Sequence, residues 1–244
     1  MSRQNFLDLN SNTPFKLSRS KIELFVECPR CFYLDVKLGI RRPSWPAFTL
    51  NSAVDHLLKK EFDIHRAKNS THPLLKNYGL EAVPFQHQEL ENWRNFRQGI
   101  QYHDPETNFL VYGAIDDIWI SKKEELIVVD YKATSINGEV TLDGEWKEGY
   151  KRQLEIYQWL FRKNGFKVSD TGYFVYVNAK RDRKAFDGKL EFDVKLLPYK
   201  GSTSWIEPTL KEIKKILQTD KLPKAKSTCE YCQYRQKAEK IERD

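Results

Sequence analysis

Two features are missing from this sequence of 244 residues, and each absence argues against a class of protein. No apolar run approaches the roughly 20 residues with which a helix crosses a bilayer. The N-terminal stretch MSRQNFLDLN lacks the basic and then apolar pattern of a secretory signal. From the sequence we therefore expect a cytoplasmic protein that has no membrane-spanning segment.

The sequence also has fewer acidic than basic residues. Its 41 lysine and arginine residues against 34 aspartate and glutamate residues leave a formal charge of +7 and a pI near 9.0. This balance favours a polyanionic partner such as nucleic acid. The same charge fits a basic protein whose lysines only face water, so charge alone leaves both interpretations open. Aromatic residues, 13% of the sequence, allow base stacking, although most are expected in the core.

The four cysteines form two C-x-x-C pairs, one near each end of the chain, and none is left over. The pairs are Cys28 with Cys31 and Cys229 with Cys232. In a reducing cytoplasm this arrangement favours a metal site over disulfides. Four thiolates satisfy a tetrahedral zinc ion or a four-iron cluster equally well, so the spacing leaves the metal open.

Hydrophobic patterns predict helices and strands in alternation between the cysteine pairs. Residues 1–16 are predicted as a polar lead-in and residues 17–244 as a single domain. The predicted helices are Phe48–Arg66, Tyr150–Lys163 and Trp205–Gln218, and the predicted strands are Phe96–His103, Phe109–Ile120, Leu126–Lys132, Gly172–Asn178 and Leu190–Leu197. The first helix is predicted to bury one face, made of Leu50, Val54, Leu57, Leu58 and Phe62. This order predicts an α/β fold with a mixed central β-sheet flanked by helices.

One D-x-K triplet stands out by its context. The pattern recurs along the chain, but only Asp130-Tyr131-Lys132 ends an unbroken apolar run, LIVV, which suits a strand covered on both faces. Side chains two residues apart on a strand point the same way, so Asp130 and Lys132 share a face. Burying both costs several kcal/mol, by rough estimate, unless a cation and hydrogen bonds compensate. A metal site is therefore favoured over a structural ion pair.

Neighbouring polar residues extend this candidate site. Asp116 lies one strand earlier, where a short antiparallel turn brings it beside Asp130. Two carboxylates held that close repel unless a cation lies between them. Asp117 is expected on the other face, either solvated or structural. Gln153 and Tyr157, four apart on the next helix, share a face, although an ordinary polar surface pair has the same spacing.

These motifs resemble a known family. The succession of G-x-x-D ending at Asp116, D-Y-K starting at Asp130 and Q-x-x-x-Y starting at Gln153 is similar to the RecB-like branch of the PD-(D/E)XK nuclease superfamily. The segment LSRSKIELFVECPRCFYLD resembles the N-terminal block S-x-S-x-(I/L)-x-x-F-x-x-C-P of that branch. The resemblance runs from about Leu17 to Cys232 and implies a restriction-endonuclease-like core. Each motif alone is weak, whereas their shared order is specific.

The resemblance assigns roles to the central residues. It implies that Asp116, Asp130 and the backbone carbonyl of Tyr131 bind Mg²⁺ or Mn²⁺. It implies that Lys132 orients or activates the attacking water and offsets charge in a phosphorane-like transition state.

Two motifs depart from the family pattern. Relatives carry G-x-x-x-H on the helix before the sheet, with the histidine as a metal ligand; here Asp55 takes that histidine's place. A carboxylate binds Mg²⁺ at least as well as an imidazole, so we assign Asp55 to the metal, although a weakened or repurposed site also fits. Iron–sulfur relatives place one cysteine before the core and three after it, whereas this chain has two and two. The count still closes a four-thiolate site that clasps the two ends, and a [4Fe–4S] cluster is favoured over Zn²⁺.

The resemblance and the residues together predict a metal-dependent DNA nuclease. We expect an exonuclease on single-stranded ends, in DNA repair, recombination or foreign-DNA processing, with Gln153 and Tyr157 supporting the site or contacting the nucleic-acid backbone. One alternative is a nucleic-acid-binding module that keeps the fold without efficient cleavage. Another is an RNA-directed nuclease. The sequence does not distinguish DNA from RNA, because no residue that reads a 2′-hydroxyl can be located.

Overall fold

A computed structural model describes residues 13–44 and 49–243. The chain forms two compact units. The terminal unit comprises the described residues of Met1–Pro46, Gln101–Tyr112 and Ser204–Asp244, and the central unit those of Ala47–Ile100 and Gly113–Thr203. In the described part of the chain, no helix combines the length and the apolar character needed to cross a membrane.

The terminal unit holds both ends of the described chain. Its elements are β1 (Phe15–Ser18), α1 (Arg19–Glu27), α2 (Pro29–Val36), β3 (Ile100–Asp104), β4 (Phe109–Gly113), α7 (Ile206–Gln218) and α8 (Glu230–Arg243). The strands form a small sheet in the order β1-β4-β3, with β1 parallel to β4. Helix α1 begins directly after Ser18, whose hydroxyl accepts a hydrogen bond from the backbone N–H of Lys21 and caps the helix.

The central unit contains the larger sheet. Its elements are α3 (Thr49–Ala67), α4 (Pro73–Asn77), β2 (Ala82–Pro84), α5 (Leu90–Arg94), β5 (Asp117–Ser121), β6 (Leu126–Thr134), α6 (Glu148–Lys163), β7 (Thr171–Ala179) and β8 (Phe192–Lys200). The strand order is β2-β5-β6-β7-β8. Strands β6 and β7 run parallel, whereas the other neighbouring pairs are antiparallel. The predicted mixed sheet is confirmed.

Helices cover both faces of this sheet, because the middle strands are apolar on both sides. On one face, Phe62 of α3 packs with Trp119, Val129 and Val175, all buried. On the other face, α6 approaches so closely that a Cβ on Gly172 would lie 2.5 Å from a methyl group of Leu154. A side chain at position 172 would therefore separate α6 from the sheet. The predicted α/β class with flanking helices is confirmed.

One predicted strand is wrong as a single element. The stretch Phe109–Ile120 forms two strands, β4 and β5, which belong to different sheets. The chain leaves the regular strand at residues 114–116, where the backbone N–H of Ile115 bonds the carbonyl of Trp93 instead of a neighbouring strand. Apolar residues run up to Ile115 and resume at Ile118, with no glycine or proline between them to mark a strand end, so the sequence did not reveal the break.

Some local predictions also need correction. Leu50 and Leu57 were expected in the core but are 54% and 62% exposed, so α3 buries a narrower face than its pattern suggested. Phe96 is exposed and precedes the strand that it was expected to start. Within the predicted lead-in, residues 1–12 lie outside the described residues, and Phe15 already belongs to β1. The prediction of one domain over 17–244 stays a prediction.

Candidate catalytic centre and cysteine site

The antiparallel register of β5 and β6 brings two acidic positions together. Asp117 pairs with Val129, so Asp116, one residue earlier, lies next to Asp130 across the two strands. The contact is direct: the backbone N–H of Tyr131 donates to Asp116 Oδ2 at 2.9 Å. This hydrogen bond fixes the Asp116 carboxylate at the start of the D-Y-K triplet.

Asp130 and Lys132 form an ion pair on the face of β6 that α6 covers. Asp130 is fully buried, and the Lys132 ammonium contacts its Oδ2. Burial by itself lowers the pKa of Lys132, but the nearby Asp130 and Asp116 carboxylates outweigh it, and the pKa is raised above its ordinary value. Lys132 therefore carries its proton at neutral pH and acts as a hydrogen-bond donor and a positive charge.

A second lysine joins the remaining acids, and sequence reasoning missed it. Lys59 Nζ lies 2.8 Å from Asp55 Oδ2 and 3.6 Å from Asp116 Oδ1. Lys59 follows Asp55 by four residues on α3, a spacing that brings side chains together on a helix and was visible in the sequence. The side chain of Asn51, at the start of α3, donates to the carbonyl of Ala133 at 3.3 Å, which ties the helix to the end of β6.

The three acids therefore occupy one neighbourhood in contact with two ammonium groups. In the described part of the chain, only the four cysteines bring three or more potential metal-ligand atoms within 4.8 Å of one another. Asp55 and Asp116 share the Lys59 ammonium, and Asp130 holds that of Lys132. Carboxylate oxygens are the ligands that a hard divalent cation prefers. In this centre they already contact positively charged ammonium groups.

Helix α6 supplies the polar residues above the Lys132 face. Gln153 and Tyr157 are buried and contact each other, with Gln153 Nε2 3.4 Å from the Tyr157 hydroxyl. Tyr150, one turn earlier, has its ring centroid 4.5 Å from Lys132 Nζ and was not predicted. Its position could have been inferred from the spacing 150, 153 and 157, which repeats at helical intervals.

A buried ion-pair network lies on the opposite face of the same strands. Asp117 is fully buried and accepts from Tyr131 Oη at 2.8 Å, from Trp119 Nε1 at 3.2 Å and from Arg94 Nη2 at 3.0 Å; Arg66 also contacts it. Asp117 was expected to be either solvated or structural, and its burial in this network shows that it is structural. Tyr131 was considered only for its carbonyl, although strand alternation turns its ring away from Asp130 and towards Asp117.

Asp63 completes this network from α3. It accepts from Arg94 Nη1 at 2.9 Å and from Arg66 Nε at 2.9 Å. Burial by itself raises the pKa of Asp63, but the two guanidinium groups outweigh it and hold the pKa below its usual range. The strand that carries the candidate catalytic pair is thus anchored to α3 and α5 by charged groups that the chain itself supplies.

The four cysteines form a separate cluster within the terminal unit. All four are buried, with sulfur–sulfur distances of 3.8 Å between Cys28 and Cys232, 3.6 Å between Cys31 and Cys229, and 3.6 Å between Cys31 and Cys232. A tetrahedral zinc ion with bonds of about 2.3 Å separates its sulfurs by about 3.8 Å. The predicted grouping of the two pairs into one possible metal site is confirmed.

Arg42 contributes positive charge to this cluster and was not predicted. Its Nη2 lies 3.6 Å from Cys229 Sγ, and its Nη1 lies 2.6 Å from Glu27. Burial raises the pKa of Cys31 and of Cys232. At Cys28, hydrogen bonds from the backbone outweigh burial and lower the pKa to about 7. Binding of a cation here therefore displaces protons from the thiols that remain protonated.

Comparison with families of known proteins gives a match over most of the chain. The sequence model of the PD-(D/E)XK nuclease superfamily matches residues 16–236. A solved structure described as that of SSO0001 is similar, with a TM-score of 0.43 and 17% sequence identity over 86% of this chain and 79% of that chain. Among curated proteins, none matches this chain.

Proposed function

The chain belongs to the PD-(D/E)XK nuclease superfamily, and on that premise we propose that it is a metal-dependent DNA nuclease that hydrolyses phosphodiester bonds. One observation carries the proposal. The Asp116 carboxylate accepts from the backbone N–H of Tyr131, while the Lys132 ammonium contacts Asp130 on the same strand. Two acids and a protonated lysine at the junction of two strands form a centre that can act on a phosphodiester.

We assign Asp55, Asp116, Asp130 and the carbonyl of Tyr131 as ligands of Mg²⁺ or Mn²⁺. A bound ion of this kind supplies Lewis-acid activation of the phosphoryl oxygen and lowers the pKa of a bound water. The oxygen-rich donor set suits such ions better than it suits zinc or copper.

Lys132 has two roles in this proposal. Its ammonium orients the attacking water by hydrogen bonding and stabilises negative charge as it develops on the phosphoryl oxygens. Because its pKa is raised, Lys132 donates hydrogen bonds and does not accept a proton in the resting site. Gln153 and Tyr157 are buried. Their burial favours a role in holding α6 on the sheet and disfavours direct contact with nucleic acid.

For the substrate we propose single-stranded DNA ends, processed by an exonuclease in DNA repair, recombination or foreign-DNA processing. The net charge of +7 supports a polyanionic substrate. An RNA substrate remains the second possibility, and a cytoplasmic location stays a prediction.

A second candidate function is nucleic-acid binding without efficient cleavage. The contacts of Lys59 with both Asp55 and Asp116 favour it, because an ammonium group between two acids competes with a divalent cation for them. Binding that weakens steeply with salt, with no cleavage in any divalent metal, is the result expected for this candidate.

For the cysteine cluster, two metals remain as proposals. A [4Fe–4S] cluster follows from the family resemblance. The sulfur–sulfur distances of 3.6–3.8 Å favour a single Zn²⁺ ion, because in a four-iron cluster each cysteine binds a different iron, which spreads the sulfurs further apart. A colourless protein with one zinc per chain supports zinc, and a brown protein prepared without air supports iron–sulfur.

The experiment that tests the proposal is cleavage of labelled single-stranded DNA, duplex DNA and single-stranded RNA with Mg²⁺ or Mn²⁺. We expect single-stranded DNA to be degraded, and Asp130→Asn and Lys132→Ala to abolish degradation. The chain offers a matched control in Asp193-Val194-Lys195, the same pattern on the edge strand β8, where both charged side chains are exposed. Asp193→Asn and Lys195→Ala should leave the rate unchanged. Equal activity in all four variants would refute the assignment.

A further inference from the structure

A single tryptophan is exposed in the loop that joins β6 to α6. Trp146 lies in a short 3-10 helix, Glu145–Lys147, directly before α6. It is 60% exposed, although indole rings are usually among the more deeply buried side chains. An exposed indole with nothing to bind costs solvation free energy, so a ligand that covers this ring gains that free energy on binding.

The exposed indole ring is held in position by its neighbours. The buried Lys147 places its ammonium 4.9 Å from the indole centroid. The ring of Tyr150 meets it edge to face, with centroids 5.6 Å apart and an interplanar angle of 83°. The backbone of Gly144 lies so close that a Cβ there would be 3.4 Å from the indole nitrogen. A ring held in this way loses little conformational entropy when a ligand stacks on it.

The same neighbours connect Trp146 to the candidate catalytic centre. Tyr150, which contacts the indole, is the residue whose ring lies 4.5 Å from Lys132 Nζ. Two successive contacts therefore lead from the exposed ring to the proposed catalytic lysine. These two contacts keep the indole centroid within about 10 Å of Lys132 Nζ, so we expect a strand with a phosphate at Lys132 to bring its adjacent base to this ring.

We propose that Trp146 is a stacking platform for an unpaired nucleobase next to the phosphate that is hydrolysed. This inference rests on the proposed nuclease function and gives the preference for single strands a physical origin. Every base has an aromatic face, so stacking on an indole tolerates any sequence. In a duplex that face is already covered by the neighbouring base pairs, so the platform acts only on unpaired nucleotides.

The test measures binding rather than cleavage. In the Asp130→Asn background, a short single strand carrying 2-aminopurine reports stacking through quenching of its fluorescence, and a duplex of equal length is the comparison. We expect Trp146→Ala to weaken single-strand binding about 10- to 100-fold and to remove the quenching, because aromatic stacking contributes that much per base. Trp146→Phe should retain most of the affinity, and duplex binding should be unchanged.

Two further measurements distinguish stacking from an electrostatic contact and from a general effect of exposed aromatic surface. Trp146 carries no charge, so Trp146→Ala should leave the salt dependence of binding unchanged. The matched control is Phe96→Ala, which removes another exposed ring of the central unit, 76% exposed and with Arg97 5.3 Å from its centroid. It should bind single strands like the wild type, and both variants should melt like it.

Three outcomes would overturn the inference. They are unchanged single-strand affinity in Trp146→Ala, an equal loss for single strand and duplex, and quenching of the 2-aminopurine that persists in Trp146→Ala. The proposed function fails separately, if the wild type binds and quenches the strand but never cleaves it.

Discussion

The two candidate metal sites of this protein differ in what holds them together. In the central unit, each acid of the candidate catalytic centre contacts a lysine ammonium, and the strands beneath it are anchored by Asp117, Arg66 and Arg94. In the terminal unit, four buried thiols lie within 4.8 Å of one another, with the Arg42 guanidinium beside them. The first site is organised by the chain's own charges, whereas in the second a bound cation would offset the charge of four thiolates. We infer that metal loading stabilises the terminal unit and leaves the stability of the central unit nearly unchanged.

The largest expected effect follows from removing one cysteine ligand. A structural zinc ion contributes about 10–16 kcal/mol of binding free energy in small zinc domains, so we expect Cys31→Ser to lower the free energy of unfolding by more than about 4 kcal/mol. Calorimetric unfolding, read beside the metal content, measures the change.

The candidate catalytic centre provides a control variant for this experiment. Asp55→Asn removes a proposed ligand from a partly exposed ion pair, so its cost should stay below about 1 kcal/mol. Equal melting of Cys31→Ser and the wild type would contradict a structural role for the cysteine metal.

A smaller loss is expected when the charge network beneath β6 is broken. Asp117→Ala leaves two buried guanidinium groups without that carboxylate, so the free energy of unfolding should fall by about 3–5 kcal/mol. Chemical denaturation measures this loss. Asp63→Ala is the matched variant, because Asp63 contacts the same arginines but is 41% exposed, and its cost should be about 1–2 kcal/mol. If both variants cost the same, Asp117 does not anchor the site.

The smallest effect concerns the affinity of the candidate catalytic centre for a divalent metal ion. Lys59→Gln removes the ammonium that Asp55 and Asp116 share, so we expect Mn²⁺ to bind about 10-fold more tightly, equivalent to about 1.4 kcal/mol. Mn²⁺ titration followed by electron paramagnetic resonance measures this without DNA. Lys60→Gln, at the neighbouring exposed position, should bind Mn²⁺ like the wild type. Weaker binding in Lys59→Gln would show that Lys59 supports the acids rather than competing for them.

Local pattern was sufficient to predict the framework of the site. The apolar run before Asp130 identified a central strand, and its period of two placed Asp130 and Lys132 on one face. The spacing of the cysteines predicted their grouping. These inferences succeeded because each depends on neighbouring residues or on a fixed ligand geometry.

Residues that act through tertiary contacts were not predicted. Arg66 and Arg94 are ordinary basic residues in the sequence, and only the packing of α3 and α5 on the sheet brings them to Asp117. The same packing brings Lys59 to Asp116. Trp146 lies in a polar loop, and nothing in the sequence distinguished it from the many other aromatic residues of the chain. The break between β4 and β5 was hidden because apolar residues lie on both sides of it with no glycine or proline between them.

Asp130 is the residue on which the proposed metal-dependent cleavage depends most, and one measurement tests its role directly. The rate of single-turnover cleavage of single-stranded DNA is compared between the wild type and Asp130→Asn across a range of Mn²⁺ concentrations. We predict that the wild-type rate rises with Mn²⁺ to a plateau and that Asp130→Asn is at least about 100-fold slower at every concentration, because the change removes a metal ligand. A wild type that cleaves equally well without divalent metal, or an Asp130→Asn variant that reaches the same plateau, would contradict the proposed role of Asp130.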